Sequence, residues 1–333
     1  MRILVTGSTG FIGAALVREL VAKGYEVVCL YRNPEKIRKF PDAGVEAVRG
    51  DILDPASLAG ACRGCERLFH LAAFTGVWSR NREMVRKLNA EGTRNVLEAA
   101  LNAGIRDIVL TSTAGVTGPS SGTPVTEETV RSVPFFTPYE ETKAEAEKIA
   151  ADYVKKGLNI RIVNPTRLYG PGELNAGNSV TRIVKLYIEG KWRFITGDGN
   201  STGNYVFIDD AVEGHILAME KGKPGERYLL GGENISYNGF FNLLAEITGI
   251  RRKLIRLPVS AVLAAAGLSV AAAYITGTEP FITPGHVRRL NYNWIVSSEK
   301  AVRELGYSIT PLREGLVKTV EWLKSANLSS SVF

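Results

Sequence analysis

Cysteine and histidine are scarce in this chain. Three cysteines, Cys29, Cys62 and Cys65, are too few for a disulfide framework. Cys62 and Cys65 form one C-x-x-C, but a metal or redox site there would need a second pair or nearby histidines. Only His70, His215 and His286 exist. Both cysteines therefore read as small apolar packing residues. Repeats, low-complexity linkers and targeting segments are also missing; the first strand is expected from Arg2, leaving no room for a signal peptide before it. Long apolar runs are missing but for one. LPVSAVLAAAGLSVAAAYITG, 257–277, is long enough to cross a bilayer. It is mostly alanine, interrupted by Pro258, Ser260, Gly267 and Ser269, and is expected to be a buried helix of a soluble, cytoplasmic protein rather than a membrane-seated one. Acidic excess is absent too: the formal net charge is +7. That permits an acidic partner such as a phosphorylated cofactor, nucleic acid or an anionic membrane. The basic residues are scattered, and the densest run, Arg251, Arg252, Lys253 and Arg256, is short. A solvated basic surface is the expectation, with no nucleic acid and no membrane as partner.

What is present is an ordinary globular composition, 45% hydrophobic and 23% charged over 333 residues, enough for a large core in one big domain or two. RILVTG, EVVCLY, VEAVRG, RLFHLAA, DIVLTSTA and NIRIVNPT read as strands. Between them, FIGAALVRELVAKG, DPASLAGAC, a single long helix NREMVRKLNAEGTRNVLEAALNAG and the stretch from Tyr139 read as helices. Continuous apolar strands alternating with helices form a parallel sheet covered on both faces. The expected fold class is α/β: a Rossmann-type doubly wound parallel sheet over 1–170, with a return segment about 205–231. Residues 171–204 and 232–333 read as a smaller, mostly helical C-terminal lobe for substrate.

TGSTGFIG, 6–13, places Gly7, Gly10 and Gly13 between the first strand and the first helix. Glycines there allow a tight turn, close backbone approach to a pyrophosphate, and close packing of helix on strand. The helix N-terminus offers free N–H groups to the anion. A nucleotide-binding, dinucleotide-holding role is the expectation.

The spacing Gly-x-x-Gly-x-x-Gly differs from the common Gly-x-Gly-x-x-Gly. It resembles the extended branch of the short-chain dehydrogenase/reductase superfamily (the NAD-dependent epimerase/dehydratase family), and the resemblance covers the whole chain. It implies that Thr9, Phe11 and Ile12 join the three glycines around the cofactor. By the same resemblance, in GDILD Asp51 would meet the adenine amine and Ile52 would line the ring. HLAA would bring Leu71, Ala72 and Ala73 beside the ribose and nicotinamide, and NAEGTRN would be the helix that braces the site.

A carboxylate normally ends the second strand of an NAD site, bonding the ribose hydroxyls. Here Tyr31 stands there and Arg32 follows. A guanidinium can bind a 2′-phosphate in a fork where a carboxylate would repel it. NADP(H) is expected in preference to NAD(H).

FTPYEETKAEAEK, 136–148, carries Tyr139 four residues before Lys143, on one helical face. Spacing alone does not separate a catalytic pair from two surface residues. A second copy, Tyr187 with Lys191, contains Gly190, which disfavours a stable helical face. Thr137 reads as an N-cap, Pro138 as the first helical residue and Glu140 as the reciprocal half of a capping box. Tyr139 is then a first-turn residue. The stretch lies where the resembled superfamily places its Tyr-x-x-x-Lys. A nearby ammonium would lower the phenol's usual pKa of about 10 and make it a better proton partner near neutrality. Lys143 would also bond the nicotinamide ribose. In LTSTAGVTG, Thr113 matches the family hydroxyl that holds the substrate oxygen, with Thr111 and Ser112 as neighbouring alternatives. Pro165 of NPTRLYGPG is implied to pass the nicotinamide.

The resemblance lies closest to dihydroflavonol reductase-like proteins. It implies an oxidoreductase that reduces a hydrophobic or aromatic ketone or aldehyde with Thr113, Tyr139 and Lys143. A nucleotide-sugar epimerase or dehydratase is the alternative, and a non-enzymatic NADP-binding redox sensor the second. Sugar dehydratases carry Asp-Glu after the strand-five threonine; here those positions are Ala114 and Gly115. Epimerases usually carry an arginine before a Y-V-x-V-D-D-like segment; here Gly203 and Asn204 stand in that region. Phe74, Trp78, Phe135, Phe136, Trp192 and Tyr205 are the apolar candidates for a substrate pocket. A homodimer through the helix at 80–103 and the Tyr139 helix is implied by resemblance alone.

Overall fold

The computed structural model describes the whole chain except residues 38, 39, 41, 42, 77, 281 and 331–333, and the side chains of 326–330. In chain order the strands are β1 (Arg2–Thr6), β2 (Glu26–Tyr31), β3 (Val45–Arg49), β4 (Arg67–His70), β5 (Asp107–Thr111), β6 (Asn159–Pro165), β7 (Arg167–Tyr169), β8 (Phe194–Thr196), β9 (Thr202–Phe207), β10 (Arg227–Leu230), β11 (Glu233–Ser236) and β12 (Ile255–Leu257). The α-helices are α1 (Phe11–Ala22), α2 (Pro34–Ile37), α3 (Pro55–Cys62), α4 (Arg82–Arg86), α5 (Gly92–Asn102), α6 (Pro138–Lys155), α7 (Ser179–Ile188), α8 (Ile208–Lys221), α9 (Tyr237–Thr248), α10 (Val259–Thr276), α11 (Pro284–Leu290), α12 (Glu299–Leu305) and α13 (Leu312–Ser330).

Seven strands form one sheet in the order β10-β6-β5-β4-β1-β2-β3, and every pairing is parallel. Each strand alternates its side chains between the two faces. On β1, Ile3 and Val5 join the core beneath α1, while Leu4 joins the core beneath α3, α5 and α6. The central strands are therefore covered on both faces and carry apolar runs, whereas β3, at one edge, has no buried residue. The strand order reverses between β1 and β4, which opens a crevice at their C-terminal ends.

Three smaller features depart from the sequence pattern. The segment expected as one long helix begins at α4, passes through a π-helical turn at Lys87–Glu91, and continues as α5. β9 pairs with β7 and β11 in a separate three-stranded sheet, while α8 packs on β5 and β6 and β10 closes the main sheet beside β6. The run 257–277 does form a helix, α10, but it is not a buried one: Ala266 and Ala273 are buried, one side around them is half-buried, and the rest is exposed. Its apolar residues surround the axis, and α11 packs on one side of it, so its other side has little to lie against among the described residues.

Candidate active site

The site assembles at the C-terminal ends of β1, β4, β5 and β6. Gly7 has a left-handed φ of +70°, and a Cβ on it would stand 2.5 Å from the Ala72 nitrogen. A Cβ on Gly13 would stand 2.1 Å from the Gly7 carbonyl oxygen. Only glycine permits this turn and this contact of helix on strand. Helix α1 begins at Gly10 with no side-chain cap, so its first N–H groups are left for an anion. The turn and the uncapped helix fit a dinucleotide pyrophosphate. Thr9 and Ile12 are part-buried around the turn. Phe11 is different: its ring is buried against Gly172, so only its backbone faces the cradle side.

Arg32 is exposed at the end of β2, and its Nη1 lies 3.5 Å from the Asp51 carboxylate. Asp51 Oδ1 accepts from the Leu53 N–H at 3.0 Å. Ile52 is buried over Gly92, where an added Cβ would stand 2.6 Å from its Cδ1. Leu71, Ala72 and Ala73 form the loop after β4. It is tied to β1 by Leu71 N–H on the Thr6 carbonyl (3.1 Å) and Ala72 N–H on Thr6 Oγ1 (3.3 Å).

His70, beneath that loop, is neutral. Thr93 donates its single hydroxyl proton to the Asn89 carbonyl at 2.7 Å, so toward His70 Nε2, at 3.0 Å, it accepts. Nδ1 then takes the Thr6 proton at 2.7 Å. Burial, with Lys143 nearby, holds the imidazole down to about 3. The π-helical turn aims Asn89 into the same region. It accepts from the Phe74 N–H (2.7 Å) and donates to the Phe74 carbonyl (3.2 Å) and Thr142 Oγ1 (2.9 Å). One amide thus ties the β4 loop to α6; turns of this kind recur at functional sites.

Helix α6 starts as a capped helix: Thr137 Oγ1 accepts from the Glu140 N–H at 3.3 Å, and Pro138 is in the first turn. The reciprocal half differs from expectation. Glu140 accepts from the N–H of Phe136, one residue further back, at 3.0 Å, because its carboxylate is also held by Arg131 (3.1 Å) and Arg289 (2.9 Å). Tyr139 and Lys143 follow on one face. The Thr113 side chain stands near enough to the Tyr139 phenol to draw its pKa down a little. Thr111 is spent on His215 Nε2 at 2.9 Å, and Ser112 Oγ is buried with no partner among the described residues. Of the three hydroxyls, Thr113 is the one brought to the tyrosine. Asn164 steadies this end of β5, donating to the Thr113 carbonyl (3.1 Å) and to Glu147 (2.7 Å).

The electrostatics overturn one expectation. Tyr139 is not acidified by Lys143 in the protein alone. Burial pushes the phenol up to about 12; Arg289 is the cation that opposes this, and Glu140 adds to it. Burial also pushes Lys143 down to about 8 against the pull of Glu147. Desolvation outweighs the charge pairing expected from helical spacing.

The cleft beside Thr113 is lined by Pro165, Thr166, Arg167, Asn204, Arg289 and Trp294. Arg167 donates to the hydroxyls of Tyr237 (2.5 Å) and Tyr205 (3.4 Å), while its Nη2 is buried with no partner among the described residues. His286, half-buried alongside, is held down to about 4 by desolvation and then by Arg289 and Arg167. Sequence reading missed Glu140 as an ion-pair hub, Arg167, Arg289 and Asn164. Arg167 carried a signal, standing two residues beyond Pro165 in the same NPTRLYGPG segment; Arg289, on α11, carried none.

Other expected residues fall elsewhere. Tyr187 is buried and donates to the Ile250 carbonyl, while Lys191 is exposed and pairs with Glu189, so the second Tyr-Lys copy is not a site. Cys62 and Cys65 are buried and free, and burial raises both thiols. Trp192 stacks on Phe241, Tyr205 on Phe240, and Phe136 packs against Tyr292 and Trp294. The Phe135 ring lies under the Arg131 guanidinium. Phe74 folds over Gly76, and Trp78 meets Tyr274 of α10 edge-on at 5.6 Å.

Residues 3–231 match the family model described as the NAD dependent epimerase/dehydratase family. The chain is 31% identical to a Synechocystis sp. protein provisionally named a dihydroflavonol 4-reductase, over 96% of this chain and 94% of that one. It is 32% identical to sterol demethylase protein B of Methylococcus capsulatus, over 98% and 100%. Among solved structures it superposes with TM-score 0.79 and 27% identity on a UDP-glucuronic acid 4-epimerase from Bacillus cereus in complex with UDP-glucuronic acid and NAD, over 98% and 100%. With its parallel sheet, glycine turn and whole-length relatives, the chain belongs to the NAD-dependent epimerase/dehydratase family, in the extended branch of the short-chain dehydrogenases/reductases, alongside dihydroflavonol reductase-like proteins.

Proposed function

We propose that the protein is an NADP(H)-dependent reductase of a hydrophobic ketone or aldehyde. The observation that carries this reading is Thr113, at the end of β5, brought beside Tyr139, with Lys143 one turn on in α6. The nicotinamide, when bound, supplies the hydride. Tyr139 donates its proton to the substrate oxygen, and Thr113 hydrogen-bonds that oxygen as charge develops. The high pKa of the phenol keeps it protonated and ready to donate in the direction of reduction. Lys143 holds the cofactor ribose, and Arg32 the 2′-phosphate in exchange for its contact with Asp51. The reductase and sterol names of the relatives agree with an apolar carbonyl substrate.

A second reading, a nucleotide-sugar epimerase, is favoured by one observation. The Arg167 guanidinium lies over Gly203, so a cation stands near where the epimerase arginine was expected. Turnover separates the two. Wild type and Tyr139→Phe are assayed with NADPH and with NADH against aromatic ketones, keto-steroids, aldehydes and UDP-sugars. Oxidation of NADPH by wild type alone supports the reductase. Interconversion of UDP-sugars without net cofactor change replaces it with the epimerase, and tight cofactor binding without any turnover replaces both with a sensor.

A further inference from the structure

We propose that α10 and the basic ribbon leading into it form a docking face that seats the protein on the anionic surface of a lipid bilayer, without crossing it. The helix has 18 residues, about 27 Å, and carries no charged side chain. A water-facing helix ordinarily has a polar side. This one buries Ala266 and Ala273, half-buries Val259, Val262, Leu263, Ser269 and Val270 on the same side, and exposes the rest, Leu268, Tyr274 and Ile275 among them. Leu268 is 73% exposed and Ile275 87%. Contiguous apolar surface of this kind marks an interaction site.

The charge beside it selects the occupant. β12 runs directly into α10 and pairs with β8. Together this ribbon and its flanks expose Phe194 and Ile255 as further apolar residues and Arg193, Arg251, Lys253 and Arg256 as cations. Asp198 is the acidic residue that feels Arg256. Apolar side chains beside a cluster of arginine and lysine match acyl chains beneath anionic headgroups. A second copy of the chain would bring its own cations to the same face, and like charges oppose that association.

The face also adjoins the site. Tyr274 of α10 touches Trp78 of the β4 loop. α10 packs on α11, whose Arg289 holds Glu140 next to Tyr139. A lipid-soluble substrate leaving the bilayer would arrive at this edge of the cleft; that corollary rests on the reductase reading, whereas the docking does not.

The test is flotation of the full-length protein with phosphatidylcholine vesicles, with and without phosphatidylglycerol. The expected result is co-flotation with phosphatidylglycerol-containing vesicles, weakened by salt. Leu268→Glu with Ile275→Glu should abolish it. Arg251→Glu with Lys253→Glu and Arg256→Glu should weaken it about tenfold or more and flatten the salt dependence. Both sets should leave circular dichroism and turnover of a water-soluble substrate unchanged. No flotation of wild type with the anionic vesicles at low salt overturns the proposal, and needs no variant. A wild-type dimer that Leu268→Glu with Ile275→Glu makes monomeric, without vesicle binding, overturns it in favour of self-association.

Discussion

The guanidinium of Arg167 fills the space above Gly203: a Cβ on that glycine would stand 2.6 Å from Nη1. The two residues lie on neighbouring strands, β7 and β9, paired in parallel. Glu140 bears the same relation to Gly115, with its Cγ 3.0 Å from where a Cβ would stand. Two positions that look stripped of charge in the sequence are thus covered by charge from the next element. Their states differ. Glu140 is clamped by two arginines, whereas Arg167 keeps one nitrogen without a partner among the described residues.

Arg167→Met therefore tests what that nitrogen meets. Loss of one charge-assisted contact should raise the KM of the carbonyl substrate about tenfold or more, since such bonds are worth about 1.5–3 kcal/mol. NADPH affinity should not move. Calorimetry with UDP is expected to show no binding by wild type; binding that this variant abolishes would instead support the epimerase.

The pH dependence of the Tyr-Lys pair follows from its burial. Lys143 loses its proton near pH 8, so kcat/KM for reduction should fall above about pH 8, and Lys143→Met should lack that limb. Stability moves the other way. Between about 8 and 10.5 the unfolded lysine still holds a proton that the folded one has lost, so unfolding free energy rises with pH across that window. Tyr139 acts oppositely: it keeps its proton to about 12 while the unfolded phenol loses it near 10, so stability falls from pH 10 to 12. Urea unfolding of wild type, Lys143→Met and Tyr139→Phe over this range reads both signs.

Acid should unfold the protein through its histidines. All three are held low mainly by burial, His70 to about 3 and His215 and His286 to about 4. Each contributes stability that is intact above the unfolded value of 6.5 and is lost as pH falls toward its folded value, at ~1.4 kcal/mol per unit of separation. Melting temperature should be level from pH 7 to 8 and drop below about 6.5, with a shallower drop in His215→Gln. A flat profile down to pH 4 would show that these imidazoles are hydrated.

Cofactor choice is tested at Arg32. Arg32→Glu should lower kcat/KM with NADPH about tenfold or more relative to NADH, because a carboxylate repels the 2′-phosphate that a guanidinium grips. An unchanged ratio would leave Arg32 as no more than a partner of Asp51.

The sheet was legible in the sequence because every strand buried on both faces shows as an unbroken apolar run, and each is punctuated by a glycine or a capped helix. Gly7 and Gly13 were legible because backbone contacts there forbid any side chain. The proximity of Tyr139 to Thr113 was legible only by resemblance. Helical spacing foretold that Tyr139 and Lys143 share a face, but not that desolvation would dominate their pKa values, because burial depends on what α6 packs against. Arg289 and Glu140 meet across 149 residues, a separation no local pattern records. α10 misled for the opposite reason: alanine-rich composition describes what a helix can bury, and not whether the fold supplies a neighbour.

β10 pairs with β6 at the outer edge of the main sheet, yet more than sixty residues separate them in the chain. During synthesis on a ribosome the first six strands emerge well before this one. Until Leu230 leaves the exit tunnel, β6, with Asn164 and Pro165 at its end, presents a bare hydrogen-bonding edge to whatever is nearby. The nascent protein is thus most exposed to chaperone capture, or to mispairing with another polypeptide, in that interval. A clone truncated after residue 170 would stay in that condition permanently.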